Sequence, residues 1–180
     1  MKFNGKIIGF DLLPKNKGAK IFYTDNVVEA GESTYKEYSV KVERQPSENL
    51  ETILRTLVGH AIYVLGLSNG KLGEKEFKSR KVVDMPVFKD FKFSGFKIAG
   101  DGEDEQLIVK MKLKNINDEE VAISSGKIGV ADGTYAYEEL LSSDLDQVIT
   151  EVKSFIEGTN YYVQAKIEFP VEANNEDEEL

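Results

Sequence analysis

Between residues 107 and 114 the side chains alternate without a break. Leu107, Val109, Met111 and Leu113 fall on one side, and Ile108, Lys110, Lys112 and Lys114 on the other. A period of two marks a β-strand with one face in a core and the other toward water. That pattern belongs to antiparallel sheets, which commonly keep one face wet. The stretch before it supplies a partner. Phe91 and Phe93 share one phase, but Phe96 and Ile98 are out of step with them, so one residue must be absorbed in between. Ser94-Gly95 occupies that place, and a β-bulge at the glycine is the cheapest account. The loop joining the two strands, Gly100-Asp101-Gly102-Glu103-Asp104-Glu105, is acidic and reads as exposed. Residues 121–130 offer a further strand, interrupted by Ser124-Ser125-Gly126.

The N-terminal quarter reads as strands at 3–10, 20–24 and 35–44, with a turn at Pro14-Lys15-Asn16-Lys17-Gly18. In the third, Tyr38, Val40 and Val42 share a face. Pro46-Ser47 then opens a helix, with Ser47 as N-cap and Glu48 at the positive end of the dipole. Leu50, Ile53, Leu54, Leu57 and Val58 form its apolar stripe, and Gly59 reads as its end. Residues 61–67 read as a buried strand turned by Ser68-Asn69-Gly70-Lys71. The polar stretch 71–86, closing with Met85-Pro86, is the best candidate for a boundary between two halves. Asp132-Gly133-Thr134 opens the longest element, with Thr134 as N-cap. Tyr137, Leu141, Leu145, Val148, Val152 and Phe155 step by three or four, and Gly158 stands at C′. A helix over 135–157 would be roughly 34 Å long. A last strand, 161–169, puts Val163, Ala165, Ile167 and Phe169 on one face.

The expected fold is therefore α+β: an antiparallel, hairpin-rich sheet, with an OB-like arrangement as one form of it, packed by two amphipathic helices. One globular domain spans 1–169, with a sub-boundary near 84–87, and an acidic tail occupies 170–180. Hydrophobic content of 41% and charged content of 31% suit a soluble globular chain. Cysteine is absent, which excludes disulfides, thiolate catalysis and thiolate metal sites and fits a reducing compartment. No signal peptide or membrane span is expected, so the cytoplasm, whether of the organism itself or of a host cell, is the default location.

Catalytic motifs do not survive inspection. Gly66-Leu67-Ser68-Asn69-Gly70 matches the G-x-S-x-G nucleophile elbow, but that triad places its histidine last in chain order, and His60 precedes Ser68. The Asn-Gly pair already explains the segment as a turn. His60 reads as a residue at a helix–strand junction, since no second histidine or cysteine could complete a metal site with it. Asp101, Glu103, Asp104 and Glu105 cluster oxygen ligands, but the twelve-residue calcium loop with its terminal Glu is missing, and an exposed tip kept soluble by charge is the preferred reading. No phosphate-binding glycine loop is present. The chain is expected to be neither an enzyme nor a holder of cofactor or metal.

Two charged features remain. Lys92, Lys97, Lys110, Lys112 and Lys114 lie on the outward side of the 91–114 pair, where a ladder of lysines can track a phosphate backbone. A wet sheet face blunted by lysine explains the same pattern. The tail, Val171-Glu172-Ala173-Asn174-Asn175-Glu176-Asp177-Glu178-Glu179-Leu180, carries five carboxylates. Without them the formal net charge moves from -9 to -4. It resembles the acidic C-terminal tails of single-stranded DNA-binding proteins from bacteria and some phages. That resemblance implies an OB-like domain before it, a shielded basic groove and recruitment of replication partners through Glu176, Asp177, Glu178, Glu179 and Leu180. Those tails typically finish on an aromatic residue, where Leu180 stands here. Gln164-Ala165-Lys166-Ile167-Glu168-Phe169 loosely resembles clamp-docking peptides, although its alternation is that of an ordinary strand. Together, the 91–114 hairpin, the helix ending at Gly158 and the aromatic strand after it resemble uncharacterised proteins encoded in early or replication regions of tailed phages.

These features lead to an expected function in DNA metabolism: an accessory protein that binds single-stranded nucleic acid through the lysine face, with the tail as modulator. One alternative is an inhibitor of a host defence enzyme that presents carboxylates of Asp101, Glu103, Asp104, Glu105, Asp118, Glu119, Glu120 and the tail in place of phosphates. Another is a virion or tail component assembled through exposed strands and the long helix.

Overall fold

The computed structural model describes residues 3–29, 32–67, 90–115 and 117–158. In chain order the strands and helices are β1 (Lys6–Leu12), β2 (Ala19–Glu29), β3 (Glu32–Val42), α1 (Glu48–Val64), β4 (Phe91–Ala99), β5 (Gln106–Lys114), β6 (Glu120–Ser124), β7 (Ile128–Gly129) and α2 (Glu138–Glu157). The expected turn at 68–71, boundary at 71–86, strand at 161–169 and acidic tail lie outside the described residues.

The α+β expectation holds. β1, β2 and β3 form one antiparallel meander, and β4, β5 and β6 form a second. The two join edge to edge through β1 and β4, giving the order β3-β2-β1-β4-β5-β6, with β7 paired to β5. Among the described residues the path does not close on itself; β3 and β6 are its ends. The inner face meets the helices. Phe10, Ile21, Phe96, Leu107, Val109 and Met111 are fully buried, as are Leu50, Leu54 and Leu57 of α1 and Leu141, Val148, Val152 and Phe155 of α2. Each such side chain contributes roughly 1.5–3 kcal/mol through removal from water.

Two bulges keep this face continuous. In β4 the register shifts between Phe93 and Gly95, so Ser94 is the extra residue, and Phe93 and Phe96, three apart, both point inward. In β1 a shift between Ile7 and Gly9 does the same for Ile7 and Phe10. Gly95 is required by its neighbours: a methyl there would collide with the Asp11 carboxylate and the Phe10 carbonyl.

The helices correct four expectations. Ser47 caps α1 as foreseen, accepting from the Leu50 amide at 3.1 Å. Gly59, however, does not end the helix, and residues 61–64 are helical rather than a strand. The stripe continues past the glycine: Ala61 and Ile62 follow Leu57 and Val58 at helical spacing, and all are buried. Burying them outweighs the cost of about 1 kcal/mol for a glycine within a helix. His60 accordingly lies inside the helix, not at a junction. Nor does α2 begin at Thr134. Asp132 Oδ1 accepts from both the amide (2.9 Å) and the hydroxyl (2.6 Å) of Thr134, so that hydroxyl closes a turn instead of capping a helix. Gly133 N donates to Glu138 Oε2 at 2.8 Å, and the helix starts at Glu138. Its far end matches expectation, with Gly158 left-handed at φ 87°. Arg44, just after β3, donates to the last carbonyls of α2, at 3.1 Å to Phe155 O and 3.4 Å to Ile156 O.

Candidate nucleic-acid interface

Because α1 and α2 both pack on the inner face, the outward side chains of the strands share one surface that, among the described residues, no helix covers. Cross-strand register places them in rows. One row runs Lys41, Lys20, Asp11, Gly95, Lys110 from β3 to β5. The next runs Ser39, Phe22, Gly9, Lys97, Ile108. On the other side of the first row Lys92 sits opposite Lys112, and Lys114 opposite Glu120. Strand alternation thus brings Lys92, Lys97, Lys110, Lys112 and Lys114 onto one face and adds Lys20 and Lys41 to them.

The ladder carries its own counter-charge. Glu120 bridges Lys92 and Lys112, each at 3.1 Å, and those two contacts hold its carboxyl below the usual carboxylate range. Lys110 reaches over Gly95 to Asp11 at 2.7 Å, and Lys114 meets Asp118 at 3.2 Å. All are exposed or half-exposed pairs, weakly held and weakened further by salt. A phosphate chain can therefore exchange with them cheaply. Lys97 makes no ion pair among the described residues.

Phe22 is the feature that sequence reasoning missed. It stands half-buried on the outer face, outside the core cluster, with Gly9 as its neighbour on β1. The Lys20 ammonium lies 4.9 Å from its ring centroid. A second aromatic, Tyr35, is 77% exposed on the same side of the β2–β3 arm, opposite Asn26 and beyond the last β1 pairing at Thr24. Aromatic rings among cations on an open sheet are what base stacking requires. The signal was hidden because Ile21-Phe22-Tyr23 is an unbroken apolar run in which alternation cannot be read.

The other candidates resolve differently. Lys6 engages Asp101 at 2.6 Å and Glu105 at 3.1 Å, so the acidic loop is tied to β1. Among the described residues no cluster of three or more histidines or carboxylates is placed to hold a metal ion. Asn115 Nδ2 donates to Glu119 at 3.0 Å, so Asp118, Glu119 and Glu120 all engage neighbouring side chains on or beside the lysine face. His60 is buried with Tyr135 and Asp144: its Nδ1 lies 2.8 Å from the Tyr135 hydroxyl and its Nε2 lies 3.3 Å from Asp144 Oδ2. Both ring nitrogens are engaged between the helices. Ser68 of the G-x-S-x-G match, and Glu176, Asp177, Glu178, Glu179 and Leu180 of the tail, lie outside the described residues. Among the described residues no helix is long and apolar enough to cross a membrane. Compared with known proteins, the chain matches no family model, no curated protein and no solved structure.

Proposed function

We propose that this protein binds single-stranded nucleic acid across the open face of its sheet, without catalysing a reaction. The observation that carries this reading is Phe22, a ring on the outer face with Lys20 against it, Lys97 two strands along the same row past Gly9, and the other lysines of β4 and β5 beyond. A base stacked on Phe22 displaces the Lys20 ammonium, which then serves a phosphate. The cation–π contact given up is worth about 0.5–1 kcal/mol, less than the roughly 1–3 kcal/mol of a base–aromatic stack. Phosphates take over from Glu120, Asp11 and Asp118 as partners of the remaining lysines. The acidic tail competes for the same cations, as the resemblance to single-stranded DNA-binding proteins implies. A role in phage DNA metabolism belongs to the same proposal.

The test is a titration of a labelled single-stranded oligonucleotide at low salt. Phe22→Ala should weaken binding by about five- to a hundredfold, the factor that corresponds to one lost stack. Lys97→Glu should weaken it as well. Unchanged affinity in both variants, with folding intact, would refute the proposed face.

A further inference from the structure

We propose that the cleft where the two meanders part is a site for a single nucleotide, with the base on an apolar floor and the phosphate at a cationic rim. The proposal rests on the nucleic-acid reading for the class of ligand, but on separate residues for the site. β1 and β4 are paired only as far as Asp11 and Gly95. Beyond that pair the bulge at Ser94 turns β4 aside, and the chain after β1 leaves through Leu13 and Pro14. A cleft of about 580 Å³ opens between them, within the range of several hundred Å³ typical of small-molecule sites.

Its lining is divided by chemistry. Leu12, Leu54, Phe91 and Phe93 supply apolar and aromatic surface. Lys15, which follows β1, and Arg55 of α1 line it together with Lys92 of β4 and Lys112 of β5. Among the described residues of the lining, Glu51 and Glu120 are the carboxylates, against the four cations Lys15, Arg55, Lys92 and Lys112. An aromatic body bearing a phosphate matches that division: its ring suits the apolar lining, and its charge suits the lysines and the arginine beside it. Lys92, Lys112 and Glu120 also belong to the open face, so a strand held there delivers its nucleotides to the mouth of the cleft.

A second observation singles out the rim. Lys15 adopts φ 61° and ψ 25°, a left-handed conformation that a lysine takes at a cost. Glycine or asparagine would suit that backbone better, and the position aims a long cation beside the cleft instead. Backbone strain of this kind gathers at ligand sites.

The test is an amide-resolved NMR titration of the full chain with deoxyadenosine 5′-monophosphate, and separately with inorganic phosphate. The nucleotide should produce saturable shifts at residues 12–15, 51–55 and 91–94, which phosphate reproduces only in part. Arg55→Glu should weaken binding about tenfold, as reversal of one charge-assisted contact does. Lys15→Gly removes the cation while relieving the strain, so it should weaken binding without lowering the melting temperature. An absence of saturable shifts at these amides, or shifts matched in full by phosphate, would overturn the site. If oligonucleotide binding persists while the cleft stays silent, the face stands and the cleft falls. If the cleft takes the mononucleotide while no oligonucleotide is held, the reverse follows.

Discussion

His60, Tyr135 and Asp144 form a polar string inside an otherwise apolar helix pair. Asp144 accepts from Nε2–H, and in the neutral imidazole this leaves Nδ1 to accept from the Tyr135 hydroxyl. Buried polar groups are tolerated only when paired in this way. Burial, reinforced by Tyr63, Tyr137 and Asp144, pushes the Tyr135 phenol far above its ordinary range. Its folded pKa therefore exceeds the unfolded value of about 10. Above that pH the unfolded chain sheds a proton that the native one retains, so stability is complete below about pH 10 and falls as pH rises beyond it. The slope is at most about 1.4 kcal/mol per pH unit. Tyr135→Phe should cost roughly 1–3 kcal/mol near pH 8, because His60 loses a buried partner. It should also make the decline between pH 10 and 11.5 shallower than in the native protein. Denaturant titrations across that range provide the check, and parallel pH curves for the two proteins would contradict this account. None of this was legible in the sequence. His60 looked like a junction residue because the helix around it was read as ending one residue earlier, and Tyr135 lies in an irregular segment where no periodicity marks it as buried.

At the scale of elements, what could be read and what could not follow one rule. Among the described residues, β4 and β5 were placed by their alternation. The strict alternation in β5 and the phase slip in β4 gave strand, partner, face and bulge together, and the lysines followed from the face. Residues 61–67 failed because Ala-Ile-Tyr-Val-Leu is apolar throughout. Its β-branched residues suited a strand, while the continuing three-and-four spacing from Leu54 to Ile62 was cut by giving Gly59 too much weight. Glycine does act as a terminator at Gly158. There φ is 87°, and an added methyl would lie 2.7 Å from the Arg44 guanidinium, which holds the last carbonyls of α2. Gly158→Ala should therefore lower stability by about 1–2 kcal/mol, through left-handed strain and displacement of Arg44. Chemical denaturation reads this directly, and an unchanged midpoint would show that neither effect operates.

For the whole molecule, the distribution of layers matters more than any one charge. Both described helices lie on one side of the sheet, and among the described residues the other side carries lysines, a few carboxylates and the rings of Phe22 and Tyr35. The net charge of -9 hides this face, because acidic residues lie elsewhere and five of them fall in the last ten positions. Local counter-charges on Glu120, Asp11 and Asp118 make the ion pairs of this face sensitive to salt. The most direct measurement is fluorescence anisotropy of a labelled single-stranded oligonucleotide against the full chain and against a chain lacking residues 171–180, each at low and at moderate salt. The predicted result is binding that weakens as salt rises, with a log–log slope of about -0.7 per phosphate contacted, and tighter binding without the tail. No binding by either chain at low salt would contradict the account.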